Sequence, residues 1–279
     1  MMIKLTHPIV SVTWLNDNGS CKNLIVIDAT IKRAVDDENK VDENLSIKNA
    51  RFLDIKNVFS KIEAPFPNTM LNIEGFEEKA RELGVNNNSA IVVYDQYGYY
   101  SAPRVWWMFK TMGFHNIAIL DGGLPLWLEL GYPVQNSFAI AFKKGSFTAN
   151  YTSGLIYDYT SILNAIKDSE TVILDARSYH RYLGTIPEPR EGLRSGHIPN
   201  SKSLPYTSLL NGVQMKSREE LKEIFSKYSE KNFIFSCGSG ITACILALGA
   251  EVAGINSKAI YDGSWTEWGS LEELPVELG

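Results

Sequence analysis

The sequence predicts an α/β protein built from two tandem copies of one domain, each a parallel sheet covered by helices on both faces. Two observations predict it. Short runs that are apolar throughout, such as Ala90-Ile91-Val92-Val93-Tyr94 and Phe233-Ile234-Phe235, alternate with helical spacing. Strands without a polar alternation are buried on both faces, as parallel strands between helical layers are. The second observation is a repeat. Thr171-Val172-Ile173-Leu174 followed by Asp175-Ala176-Arg177 answers Leu24-Ile25-Val26-Ile27 followed by Asp28-Ala29-Thr30. Phe233 to Cys237 answers Ile91 to Asp95, and Tyr261-Asp262-Gly263 answers Leu120-Asp121-Gly122. Trp127 follows Asp121 by the same step as Trp268 follows Asp262. A chain of 279 residues is long enough for two domains of ordinary size.

In order, Ser11 to Leu15 opens a short amphipathic helix ahead of the strand Leu24 to Ile27. Lys32 to Asn49 is crowded with Asp, Glu, Asn and Lys, lacks periodicity and reads as a solvated loop. Order resumes over Ala50 to Val58, and Gly75 to Leu83 has helical spacing with Gly84 placed to end it. Then come the strand Ala90 to Tyr94, a turn from Asp95 to Tyr100, the helix Pro103 to Met112, the strand Ile117 to Leu120 and a helix through Trp127 to Leu130. Residues 1–137 are expected to form the first domain and 157–279 the second. The polar, aromatic segment 138–156 reads as a linker draped over the surface.

Composition excludes several function classes. A net charge of −5 with no basic face argues against nucleic acid or an anionic membrane as partner. No segment reads as a signal peptide or a bilayer-spanning helix, so the expected location is cytoplasmic. Cys21, Cys237 and Cys244 form no Cys-x-x-Cys pair and no disulfide framework, which suits a reducing compartment. Four dispersed histidines make no metal cluster, and no metal or organic cofactor is expected.

The stretch that bears chemistry is Cys237-Gly238-Ser239-Gly240-Ile241-Thr242, a turn between the strand Phe233 to Phe235 and a helix carrying Cys244 to Leu248. Backbone N–H groups in a tight turn ahead of a helix favour an anion, so a thiol held there is expected to ionise more easily. The two glycines let the loop curl around one atom, and Ser239 and Thr242 add hydroxyl donors. A cysteine chosen at random is more often a small buried hydrophobe; this context points the other way. The equivalent position in the first half is Asp95, so that domain is expected to be catalytically silent.

These six residues resemble the active-site loop of the 3-mercaptopyruvate sulfurtransferases within the tandem rhodanese family. Thiosulfate-preferring members carry basic residues at the two positions after the cysteine, where this chain has Gly238 and Ser239. The resemblance spans nearly the whole chain. Tyr94-Asp95, Ser101 to Phe109 and Leu120 to Leu124 are similar to the family's first domain, Gly196-His197-Ile198-Pro199 and Tyr261 to Trp265 to its second.

Arg181 and Arg190, joined through Gly and Pro punctuation after the second domain's first strand, are placed to form a fork for an α-keto carboxylate. By resemblance, arginines at these positions bind the substrate's carboxylate and carbonyl. Arg177 and Arg194 are weaker candidates, Arg194 as a solvated side chain, and Arg104 is expected to pack along an aromatic face. His197 and Asp175 read as structural, the latter capping a turn, Cys244 as buried, and Cys21 as an incidental loop residue.

The chain also departs from the family. The run Leu45-Ser46-Ile47-Lys48-Asn49 stands where many members repeat the Gly-His-Ile-Pro-like turn. An aspartate and a histidine proposed there as relay partners of the loop serine match Lys56 and Thr69, which rules out a Ser-His-Asp relay through Ser239 in that register.

The resemblance implies transfer of a sulfane sulfur from 3-mercaptopyruvate, through a Cys237 persulfide, to a thiol acceptor such as thioredoxin or a low-molecular-weight thiol, or to cyanide, with release of pyruvate. A thiosulfate sulfurtransferase and a non-catalytic sulfur carrier are the alternatives. A related phosphatase is disfavoured because Ala243 stands where Cys-x5-Arg needs arginine.

Overall fold

The computed structural model describes residues 2–32, 45–136, 138, 142–228 and 232–279. Contacts divide it into two units, each of which draws one short segment from elsewhere in the chain. Unit 1 holds Met1–Lys61, Met70–Thr152 and Asn211–Met215; unit 2 holds Ile62–Thr69, Ser153–Leu210 and Lys216–Gly279.

Unit 1 is built on a five-stranded sheet in the order Ile9–Val10, Ile117–Leu120, Ala90–Tyr94, Leu24–Asp28, Arg51–Phe52, with every pair parallel. Unit 2 has Ile156–Tyr157, Lys258–Tyr261, Asn232–Ser236, Thr171–Asp175, Lys202–Ser203, again all parallel. The two orders are the same, so the repeat read from the sequence is a repeat of topology. Register extends the match. Asp28 pairs with Tyr94 and Asp175 with Ser236, which places Asp95 and Cys237 one residue beyond equivalent strand ends.

Helices flank both sheets. All five residues of Ala90–Tyr94 are buried, as a strand covered on both faces requires. On one face Val26, Val92 and Tyr94 pack with Leu124 and Trp127; in unit 2, Ile173, Ile234 and Tyr261 pack with Trp265 and Trp268. The two repeated tryptophans even share a device. Trp127 donates its indole N–H to Pro133 O at 3.1 Å, and Trp268 to Pro275 O at 2.7 Å.

Local chemistry sets the helix starts. Ser11 caps Val12–Asn18 by accepting from Trp14 N, and the helix buries Val12 and Leu15, one turn apart. The helix expected from Gly75 begins at Ile73, because Asn72 accepts from Gly75 N and so caps it.

Two expectations need correction. Within 32–49, residues 33–44 lie outside the described set, but the end of the run is no solvated loop. Ser46–Ile47 form a strand antiparallel to Val134–Gln135, both are buried, and Ile47 N donates to Tyr94 Oη at 3.0 Å. Nor is the segment after 141 only draped over the surface. Most of it is exposed or half-buried, but Phe147 is buried against Phe76, Phe109 and Phe114, and Gly145 N bonds Arg81 O, which anchors the stretch to unit 1.

Candidate active site

Cys237 follows the strand Asn232–Ser236 directly and is buried. The chain then turns through Gly240, whose φ of +75° is one that glycine adopts without strain, and enters the helix Ala243–Ala253 at Thr242. Ser264, the first residue of the helix Ser264–Trp268 that follows the strand Lys258–Tyr261, pins the cysteine from the other side. Its Oγ accepts from Cys237 N at 3.2 Å and lies 3.9 Å from Cys237 Sγ. Cys237 O accepts from Trp265 N, and Gly238 O accepts from Thr266 N at 2.9 Å and from Thr266 Oγ1. The turn is thus fastened to the start of the Ser264–Trp268 helix at consecutive residues.

Both arginines singled out from the sequence lie at this turn. Arg181 Nη2 sits 3.2 Å from where a Cβ on Gly238 would stand, so Arg181 occupies the space beside that glycine. Arg190 Nη2 reaches Ser239 Oγ at 3.3 Å, and Nη1 lies 3.5 Å from Thr266 Oγ1. Arg181 is itself held by Glu188, which accepts from Nε at 3.1 Å and from Nη2.

Behind these lies a buried ion network. Glu188 also pairs with Arg177 at 2.9 Å; Arg177 in turn makes a two-pronged pair with Asp175 and lies 4.3 Å over the Trp265 ring. Burial opposes the Arg177 charge, and Asp175 with Glu188 outweighs it, holding the guanidinium above its ordinary pKa. Arg177 is structural, and Asp175 caps the turn by accepting from Arg177 N, as expected. His197 is structural too, stacked on Tyr182 at 3.9 Å with Nδ1 at Tyr182 O. Cys244 is buried and Cys21 half-buried. Arg194 is not a solvated side chain: it is directed at the backbone carbonyls of Trp268, Gly269, Leu271 and Leu274, which close the C-terminal segment.

Sequence reasoning missed three contacts. Asn68 Nδ2 donates to Ser239 Oγ at 3.0 Å and to Ser239 O at 3.2 Å. Asn68, not Thr69, is therefore the residue at the loop serine; Thr69 turns its hydroxyl to Phe66 O. Glu188 and Thr266 are the others. The Pro-Glu-Pro setting of Glu188 was the one available signal, since a carboxylate between two prolines has a fixed backbone to point it.

The matching turn of unit 1 is filled by its own side chain. Asp95 Oδ1 accepts from Tyr97 N at 2.9 Å, and Oδ2 from Tyr100, Ser101 and Ala102 N at 2.8, 2.9 and 2.9 Å. No group of three or more metal-ligating side chains exists among the described residues.

A parallel α/β repeat with a cysteine turn in one copy and a sealed aspartate turn in the other defines a tandem protein whose halves share a topology and differ at the same turn. The model of the rhodanese-like domain matches residues 11–130 and 158–271, and the chain belongs to that family. It is 35% identical over 274 residues to the 3-mercaptopyruvate sulfurtransferase of Escherichia coli, covering 96% of this chain and 97% of that one. Thiosulfate/3-mercaptopyruvate sulfurtransferase 1, mitochondrial, of Arabidopsis thaliana is 35% identical, over 99% of this chain and 79% of its own length. Among solved structures, SseA of Escherichia coli, described as a 3-mercaptopyruvate sulfotransferase with the rhodanese fold, superposes with a TM-score of 0.82 at 31% identity, covering 93% of this chain and 99% of that one.

Proposed function

We propose that the protein is a 3-mercaptopyruvate sulfurtransferase working through Cys237. The observation that carries the reading is the convergence of Arg181 and Arg190 on the turn that begins with this cysteine. The thiolate attacks the substrate sulfur, and the C–S bond breaks with its electron pair passing to the carbon, giving the enolate of pyruvate. The proton of the substrate thiol ends on that carbon, so pyruvate leaves and Cys237 keeps the sulfur as a persulfide anion. Arg190 and Arg181 hold the carboxylate and the oxygen on which charge gathers, as planar forks suited to such groups. Gly238, Ser239, Gly240, Ile241 and Thr242 shape the turn around the sulfur.

Mercaptopyruvate is favoured over thiosulfate because the residues after Cys237 are uncharged and Arg181 already fills the space beside Gly238. The outer sulfur then passes to a thiol, such as thioredoxin or a low-molecular-weight thiol, or to cyanide. The three free cysteines suit a reducing compartment, the cytoplasm in this reading. No described helix is long and apolar enough to cross a membrane.

The test is mass spectrometry of the intact protein after exposure to mercaptopyruvate, with pyruvate assayed alongside. One added sulfur mapped to Cys237, removed by cyanide and missing in Cys237→Ser, is the expected result. Pyruvate release without sulfur on Cys237, or sulfur loading only from thiosulfate, overturns the proposal.

A further inference from the structure

Ser239 sits where a relay histidine would have to meet it, and the residue it meets is an asparagine. A hydroxyl has one hydrogen to give and two lone pairs to receive with. Both nitrogens that contact Ser239 Oγ are donors only. A guanidinium such as that of Arg190 presents donors and no acceptor, and the Asn68 atom in contact is fixed as the amide nitrogen because it also faces Ser239 O, a carbonyl that can only accept. Both lone pairs of Oγ are therefore engaged by N–H groups. The hydroxyl hydrogen has no acceptor among the described residues, although Ser239 is 7% exposed and Asn68 likewise 7%.

We propose that Asn68 is a positioning residue that locks Ser239 as a hydrogen-bond donor to the bound keto acid, replacing a proton relay with a fixed dipole. The inference rests on the sulfurtransferase reading, since it takes the oxygen held beside Arg190 as the acceptor. Ser239 in this arrangement is no base, because removing its proton has no acceptor to go to. It lowers the barrier by meeting the charge that develops on the substrate's carbonyl oxygen as the C–S bond breaks. The Asn68 amide carries no titrating group where a relay histidine would have one.

The backbone at Asn68 has φ +63°, a left-handed conformation that asparagine tolerates and glycine adopts freely. Asn68→Gly therefore removes the amide while leaving the turn its geometry. The experiment is a double-mutant cycle of Asn68→Gly with Ser239→Ala on mercaptopyruvate turnover, with thermal melts of all four proteins. Asn68→Gly is expected to lower kcat about tenfold with KM little changed, the loss of one directed hydrogen bond. In the Ser239→Ala background the same change is expected to do nothing further, because there is no hydroxyl left to aim. Asn68→Asp, nearly the same shape, is expected to be at least as damaging as Asn68→Gly, since a carboxylate takes the Ser239 hydrogen for itself. A full tenfold loss in the Ser239→Ala background, or an Asn68→Asp enzyme as active as wild type beside an impaired Asn68→Gly, overturns the role of Asn68 alone. A wild-type protein that releases no pyruvate from mercaptopyruvate overturns both the reading and the role built on it.

Discussion

The turns after Tyr94 and after Ser236 sit one residue beyond equivalent strand ends of two sheets with the same strand order, yet they do opposite things. In unit 1 the first residue is Asp95, and four backbone N–H groups close on its carboxylate. In unit 2 the first residue is Cys237, and the turn is fastened by side chains from other elements, Ser264, Thr266, Asn68 and Arg190. A turn of this kind draws an anion wherever it occurs. Unit 1 fills this seat with its own Asp95 side chain, and in the proposed function unit 2 leaves it to the Cys237 sulfur. The first half thus differs from the second by more than a missing thiol: the seat is taken.

The strongest way to break the comparison is to empty both seats. Cys237→Ala is expected to end pyruvate release while shifting stability by no more than about 1 kcal/mol, the loss of one small buried group. Asp95→Ala is expected to do the reverse in kind. It leaves four N–H groups without their acceptor, those of Ser101 and Ala102 buried and those of Tyr97 and Tyr100 partly so, and costs about 3–5 kcal/mol, each orphaned buried donor being worth about 1–3. Urea melts read beside turnover check the pair. Equal stability losses at the two positions would mean that the turns are held in the same way.

How far this contrast was legible beforehand depends on the range of the signal. The sheets, the repeat and the cysteine turn were legible because apolar runs and a recurring strand–turn–helix order are local patterns. Arg181 and Arg190 were legible through the family pattern, and the structure brings both to the turn. Asn68 was not. It meets Ser239 across 171 residues from a stretch without periodicity, where nothing marks register and Thr69 next door was as good a candidate. Arg194 shows the same limit from the other side. An arginine on an irregular loop looks solvated until the carbonyls of the 268–274 segment are seen around it. The buried pair Ser46–Ile47 failed because a strand of two residues has no alternation to detect.

Arginine is the next difference to sharpen. Removing the proposed substrate contacts singly, Arg181→Ala and Arg190→Ala are each expected to lower kcat/KM about ten- to a hundredfold, from a charge-assisted contact of about 1.5–3 kcal/mol. Arg181→Lys is expected to recover only part of this, because an ammonium cannot keep both contacts to Glu188 and still present a planar face beside Gly238. Wild-type kinetics in both alanine variants would show that neither side chain touches substrate.

The smallest expected effect lies at the strand ends just below the turns, where Asp28 and Asp175 open the repeated Asp-Ala-x sequence. Asp175 is followed by Arg177 and shares its charge, whereas Asp28 is followed by Thr30, which offers only hydrogen bonds. Burial pushes the Asp28 carboxyl up to about 6, against the hydrogen bonds from Thr30 that pull it down. An unfolded aspartate titrates near about 3.9, so between those values the folded protein binds more protons than the unfolded chain. Stability is then expected to fall as pH rises from about 4 to 6 and to stay lower above that range, through the ionisation of this one group. The full separation corresponds to about 3 kcal/mol, of which an amide in the same place recovers a part. Asp28→Asn keeps an oxygen to accept from Thr30 N and carries no charge at any pH. It is expected to gain about 1–2 kcal/mol over wild type at pH 7.5 and nothing at pH 4, measured as the difference between urea melts across that range. The same change at Asp175 is expected to move the other way, because it strips a buried arginine of its partner. A loss at both positions would show that Asp28 is stabilised as a carboxylate, and that the two strand ends are alike in their electrostatics after all.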